Sequence, residues 1–197
     1  MTLRYANTAT DIYNQLQQIP RTGWVMREVQ QPETVYEHTV ALVQLAADMQ
    51  TILGLTDAEL DDLQHILEVH DWAEAVAGDE FIPNEDRAKA QEQKAKKAER
   101  EQAGLKQILA DQPYAETVQT LFNRYESGSD PIAKLAKELD KYQALELALH
   151  YEQGQGIALF SEFYEYYKRD WPFSHPAILA RIADLQATHQ QHTASKE

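Results

Sequence analysis

Glu68-Val69-His70-Asp71-Trp72-Ala73-Glu74 is the stretch on which the reading of this chain turns. A histidine and an aspartate stand side by side in a run whose spacing predicts a helix. Adjacent helical residues point about 100° apart, so His70 and Asp71 can flank one cation from different directions. Glu74 follows His70 by four positions and Asp71 by three, which places it on the same face of a continuous helix. A polar set this dense on an otherwise apolar helix is costly to bury without a partner, and a metal ion supplies one. A lone His38 lies upstream and a lone Asp140 downstream, each in a predicted helix. Two imidazoles and two carboxylates suit a divalent first-row metal with positions left open for water and substrate. That chemistry points to hydrolysis rather than to binding alone.

Position alone singles out neither His38 nor Asp140. His38, within Glu37-His38-Thr39, reads by itself as a surface histidine. Asp140, within Lys137-Glu138-Leu139-Asp140-Lys141, reads as part of an exposed face. The other histidines, His65, His150, His175, His189 and His192, have no comparable carboxylate doublet.

Outward from this stretch the pattern is helical throughout. Gly and Pro are sparse, seven of each, and fall between helix-like segments. Alternating strand patterns are absent, so the expectation is an all-α bundle of roughly seven to eight helices. The first helix is expected over 7–18, then an irregular stretch over 21–33. A second helix begins near Thr34, with Val35, Leu42, Leu45, Ala46 and Met49 on one stripe. A third runs over 57–77, with Thr56 as N-cap and Gly78 as its stop. Trp72 within it reads as core. Further helices are expected over 85–110, 113–125, 131–153, 157–170 and 175–191. Ser174 is the expected N-cap of the last, with Pro176 just inside. Residues 1–190 read as a single domain and 191–197 as a frayed tail. The run RAKAQEQKAKKAER reads as a solvated helix face, because Glu92, Glu99 and Glu101 interleave with its lysines.

A chain of 197 residues, 43% hydrophobic, can build a sizeable core. Its net charge of −14 argues against polymeric nucleic acid or an anionic membrane as partner. A small phosphorylated substrate needs only a few local cations and stays open. With no cysteine, disulfides and thiolate zinc sites are ruled out. No apolar run reaches the length of a bilayer span, and the first residues lack a secretory core, so a cytoplasmic location is expected.

The ordered motifs resemble the HD-domain metal-dependent phosphohydrolase superfamily, whose signature is H…HD…D. The resemblance is closest to the branch of compact 5′-deoxynucleotidases that includes HD domain-containing protein 2. Arg21-Thr22-Gly23-Trp24 with Arg27 is similar to that branch's opening loop. Pro32 through His38 is similar to its first ligand motif, and His70 through Glu74 with Gly78-Asp79 to its central one. Ile82-Pro83-Asn84-Glu85-Asp86 opens the next helix in the same style. Tyr125-Glu126 and then Lys137 through Lys141 resemble the closing ligand motif, and Phe173-Ser174-His175-Pro176 a C-terminal element. The resemblance covers roughly residues 12 to 185.

It implies metal ligands at His38, His70, Asp71 and Asp140, and a water-activating carboxylate at Glu74. Asp79 and Glu126 become pocket carboxylates that meet the sugar hydroxyl or assist the leaving oxygen. In some members an arginine directly precedes the tryptophan. Here Gly23 does, so Arg21 and Arg27 compete for the phosphate. Trp24 either stacks on the base, closes the sugar pocket or pins the loop as a core residue. The implied cofactor is one divalent transition metal, Mn, Co, Fe, Ni, Cu or Zn. The implied substrate is a deoxynucleoside 5′-monophosphate and the implied assembly a homodimer. Two alternatives stand beside this. One is an HD phosphohydrolase acting on another nucleotide or phosphorylated metabolite. The other is a metal-binding scaffold retaining the HD core, which would have no need of Glu74.

Overall fold

Two helices begin with the same device. Thr34 accepts the N–H of Glu37 on its hydroxyl, and the Glu37 carboxylate accepts the N–H of Thr34. Thr56 and Glu59 repeat the exchange. Each pair satisfies two backbone donors that a helix start leaves orphaned. From these caps run α3, Val35–Leu53, and α4, Asp57–Val69. The computed structural model describes residues 3–84, 86–170 and 173–195, with Asp170 described by its backbone alone. Before α3 lie α1, Thr10–Leu16, and a single-turn helix α2, Thr22–Val25. The stretch 21–33 is thus not wholly irregular, and a backbone bridge between Pro20 and Thr34 closes it at its base.

The helix expected over 57–77 is interrupted. Past Val69 the N–H groups of Trp72, Glu74, Ala75 and Val76 each bond to the carbonyl three residues back. The ring of His70 engages Leu67 O at the same point, a side-chain competitor for a helix carbonyl. The chain tightens through a turn and resumes as α5, Glu74–Ala77, which ends at Gly78 with φ 76°. Glu74 therefore does not stack over His70 along one helix; it reaches the site from the start of a new one.

The chain continues through α6, Arg87–Ile108, whose first turn is capped by Asp86 accepting the N–H of Lys89. Glu85, where this helix was expected to start, lies outside the described residues. At Gly104 α6 comes so close to the 70–77 segment that a Cβ would sit 3.1 Å from Ala73 O. Then come α7, Ala115–Ser127, and α8, Pro131–Gln155. Gly128 in the left-handed conformation and Asp130 as N-cap separate the two. The last helices are α9, Phe160–Asp170, and α10, Pro176–Ala194.

The N-cap of α10 is His175, whose Nδ1 accepts the N–H of Ala177, and not Ser174. Ser174 is taken instead by Glu138, which accepts from both its N–H and its hydroxyl. The helix also runs through residues 191–194 of the expected tail; Lys196 and Glu197 lie outside the described residues. The eight longer helices match the all-α expectation, and the described residues contain no strand. The longest of them, α8, packs against α3, α4, α7, α9 and α10. The core around it includes the fully buried Leu42, Leu63, Ile66, Leu139, Leu145 and Trp72.

Candidate active site

Two helices and one turn bring the expected ligands together. His38 comes from the second turn of α3, His70 and Asp71 from the turn after α4, and Asp140 from the middle of α8. His38 Nε2 lies 3.2 Å from Asp140 Oδ1 and 3.8 Å from Asp71 Oδ2, and His70 Nε2 lies 3.1 Å from Asp71 Oδ2. One ligand atom each from His38, His70 and Asp71 fall within 4.8 Å of one another. Asp140 joins this set through its contact with His38. Two readings of single residues are corrected here. His38 is 0% exposed and Asp140 4% exposed, so neither is a surface residue. Of the charges beside Asp140, Lys137 and Lys141 line a cavity and Glu138 is buried against Ser174 and His175.

The outer nitrogens decide which atoms are free. His38 Nδ1 donates to Gln143 Oε1 at 2.9 Å, and Gln143 Nε2 in turn donates to Glu33 Oε2 at 3.1 Å. His70 Nδ1 donates to Leu67 O at 2.8 Å. With each Nδ1 carrying the proton, each Nε2 presents a lone pair. Both Nε2 atoms are buried without a hydrogen-bond partner among the described residues. Asp140 spends its Oδ2 on Tyr125 OH at 2.6 Å and on Lys141 Nζ at 2.5 Å, which leaves Oδ1 facing His38. Two lone-pair nitrogens and two carboxylate oxygens converging on one point repel one another unless a cation lies among them. The donor set therefore fits a divalent metal, which His38, His70, Asp71 and Asp140 would hold.

A cavity of about 360 Å³ opens beside these ligands. Arg21 enters it from the start of α2, with Nη1 donating to Asp71 Oδ2 at 3.3 Å. Burial pushes the Asp71 carboxyl up, but His70, Arg21 and His38 outweigh it and hold the group well below the usual carboxylate range. Asp140 is held low in the same way: burial opposes ionisation, and Lys141, His38 and Arg21 overcome it. Glu74 goes the other way. It is 3% exposed, and burial followed by the charges of Asp71 and Asp79 pushes its carboxyl well above the ordinary value. Asp79 lines the cavity, with Oδ2 accepting the N–H of Thr22 and its carbonyl accepting the Thr22 hydroxyl, so it also fixes the start of α2. Glu126 stands exposed at the rim.

Two of the expected pocket residues are placed differently. Arg27 does not line the cavity: it pairs with Glu162, donates to Gly23 O, and lies over the rings of Phe81 and Phe163. Arg21 is the arginine at the ligands. Trp24 is 1% exposed, stacked on Phe163 at 4.4 Å with Nε1 donating to Glu33 Oε1, so it closes the wall and leaves no face open to a base. The open aromatic wall is formed by Phe81 and Tyr166, which the sequence did not single out. Neither did it single out Lys94 and Lys97. These line the cavity from α6, so the charged run is not simply a solvated face. The one missed residue with a readable signal is Gln143, three positions after Asp140 and so on the same side of α8.

A helical bundle with two imidazoles and two carboxylates at its centre is the architecture of an HD phosphohydrolase domain. The HD-domain family model matches residues 13–178, and the chain belongs to that family. It is similar to the 5′-deoxynucleotidase HDDC2 of Danio rerio, 31% identical over 93% of this chain and 88% of the relative. The 5′-deoxynucleotidase HDDC2 of Homo sapiens is 30% identical over 93% of this chain and 86% of its own length. Among solved structures, a conserved hypothetical protein from Pyrococcus furiosus shares the fold, with a TM-score of 0.68 over 89% of this chain and 96% of that one at 24% identity. A predicted metal-dependent phosphohydrolase from Magnetospirillum magnetotacticum does so with a TM-score of 0.67, over 98% of this chain and 94% of its own, at 21% identity.

Proposed function

We propose that this chain is a metal-dependent 5′-deoxynucleotidase, a hydrolase that releases inorganic phosphate from deoxynucleoside 5′-monophosphates. The observation that carries the reading is Glu74, a buried carboxylate with one free oxygen in the same cavity as the four ligands and Arg21. A scaffold that only stored a metal would have no use for it. The relatives that span most of the chain are 5′-deoxynucleotidases, and this sets the substrate class.

When bound by His38, His70, Asp71 and Asp140, a divalent metal polarises the phosphoryl group and lowers the pKa of water. Mn, Co, Fe, Ni, Cu and Zn all suit nitrogen and oxygen donors of this kind. Arg21 takes the non-bridging phosphate oxygens, where a guanidinium offers two parallel donors. Glu74 Oε2 accepts the proton of the attacking water as its oxygen bonds to phosphorus and the P–O5′ bond breaks, and the departing O5′ takes up a proton from solvent water in the cavity to leave as the sugar hydroxyl. Asp79, in the cavity lining, is the candidate to meet the leaving sugar oxygen or a sugar hydroxyl, and Glu126 lies at the rim. The base lies against Phe81 and Tyr166. Lys141 and Tyr125 keep Asp140 oriented through its far oxygen. A homodimer is part of the same reading and rests on the family resemblance. So is the cytoplasm, where nucleotide pools are held because phosphorylated molecules do not cross bilayers.

Phosphate release from a panel of nucleotides, with and without added metal, tests this. Deoxynucleoside 5′-monophosphates are expected to react faster than their ribose forms, and 3′-monophosphates and triphosphates hardly at all. A 3′-ester places the leaving oxygen on the wrong side of the sugar and the base outside its wall. Glu74→Gln is expected to keep its metal and lose about 10²–10⁴-fold in turnover. Equal rates on 5′- and 3′-monophosphates would reduce the reading to a generic HD phosphatase.

A further inference from the structure

Glu74 is gripped from one side only. Its Oε1 accepts from Lys97 Nζ at 3.3 Å, while Oε2 is buried and has no hydrogen-bond partner among the described residues. Lys97 is itself held by two further groups. Its Nζ lies 3.3 Å from Glu101 Oε1, one turn further along α6, and donates to Glu80 O at 3.3 Å. Of the three N–H donors of an ammonium, two go to the Glu74 carboxylate and the Glu80 carbonyl, and the Glu101 carboxylate pairs with the charge. The geometry depends on α6 lying close against the start of α5, which the bare Cα of Gly104 against Ala73 O permits.

A glutamate carboxylate turns easily about its last torsion, which is broad and roughly two-fold. A base that rotates spends part of its time with the wrong oxygen, or neither, towards the water. We propose that Lys97, tethered by Glu101 and the Glu80 carbonyl, is a positioning residue for the hydrolytic step: it fixes Oε1 of Glu74 and so assigns Oε2 as the proton acceptor. This rests on the reading of Glu74 given above. The role is that of an orienting partner to a general base, supplied here by a cation instead of a carboxylate.

Steady-state kinetics on a deoxynucleoside 5′-monophosphate, with metal content and melting temperature measured on the same samples, test it. Lys97→Met is expected to lower kcat about 10–100-fold with KM within about twofold of wild type, metal and melting unchanged. Lys97→Arg keeps a donor and a charge and is expected to recover most of the loss. Glu101→Gln loosens the tether alone and is expected to lower kcat by a smaller factor; it carries the test if Lys97→Met does not melt cooperatively. In a Glu74→Gln background, Lys97→Met is expected to cause no further loss, because both act through one carboxylate. A rise in KM with kcat unchanged would make Lys97 a substrate-binding residue and overturn the proposal. An independent, multiplicative loss in the double variant, or wild-type kcat in Lys97→Met, would overturn it too. Activity that survives Glu74→Gln strikes the Glu74 reading itself. Activity lost in Glu74→Gln but intact in Lys97→Met strikes only this one.

Discussion

A histidine binds a cation through the nitrogen that carries no proton, so the group on its other nitrogen matters as much as the metal. For His38 that group is Gln143, itself oriented by Glu33; for His70 it is the carbonyl of Leu67. Removing a ligand and removing an orienter should therefore differ in degree. Asp71→Ala is expected to lose the metal and the activity together. Gln143→Leu leaves all four ligands in place but lets the His38 ring turn and change tautomer, and is expected to weaken metal binding about 10–100-fold. Elemental analysis and titration with Mn²⁺ against a competing chelator measure both. Full metal occupancy in Asp71→Ala would displace the site from these residues.

At the scale of elements, three buried glutamates hold segment ends by accepting backbone N–H groups. Glu68 takes those of Arg4 and Tyr5, Glu138 those of Ser174 and His175, and Glu152 those of Leu159 and Phe160. Glu152 also meets His189 Nδ1 at 2.8 Å. Burial alone would raise the Glu152 carboxyl, but the two N–H donors and His189 hold it below the ordinary glutamate value of 4.5. A depressed carboxyl stabilises the fold above its unfolded pKa and loses that contribution as pH falls through the folded one. Wild type is therefore expected to lose stability more steeply than Glu152→Gln as pH falls below about 4.5, read from urea midpoints across that range. These staples were not legible in the sequence, since an isolated glutamate in a helix reads as solvated. The helices themselves were legible, because Thr34, Thr56, Gly78, Gly128 and Pro131 mark their ends by local chemistry. The candidate ligands stand out in the sequence through the adjacency of His70 and Asp71. What escaped was whatever depends on rotation about a helix axis or on a break: the inward turn of Lys97, the pairing of Arg27 with Glu162, and the tight turn after Val69 that carries Glu74 off the His70 face.

For the molecule as a whole, α8 is the common member. It supplies Asp140 to the ligands and Gln143 to His38, and through Glu138 and Glu152 it anchors α10 and α9. Its partners come from distant parts of the sequence, so the metal site cannot outlast the bundle and the bundle cannot shed α8. A single cooperative unfolding transition is expected. Metal binds only the assembled ligands, and at a hundredfold excess over its Kd contributes about 2.7 kcal/mol, about 5–10 °C in Tm for a domain of this size. Thermal scans with chelator and then with Mn²⁺ measure the shift; a Tm indifferent to both would separate the ligand cluster from metal binding.

One consequence concerns the first described residues. The ends of a chain ordinarily exchange their amide hydrogens with water almost at once. Here the amides of Arg4 and Tyr5 are bonded to Glu68, two positions before His70, and Tyr13 OH binds the same carboxylate. In deuterated water those two amides should label on the timescale of α4 rather than of a terminus. Their labelling then becomes a clock for openings of the turn that bears His70 and Asp71, legible in a peptide remote in sequence from the ligands.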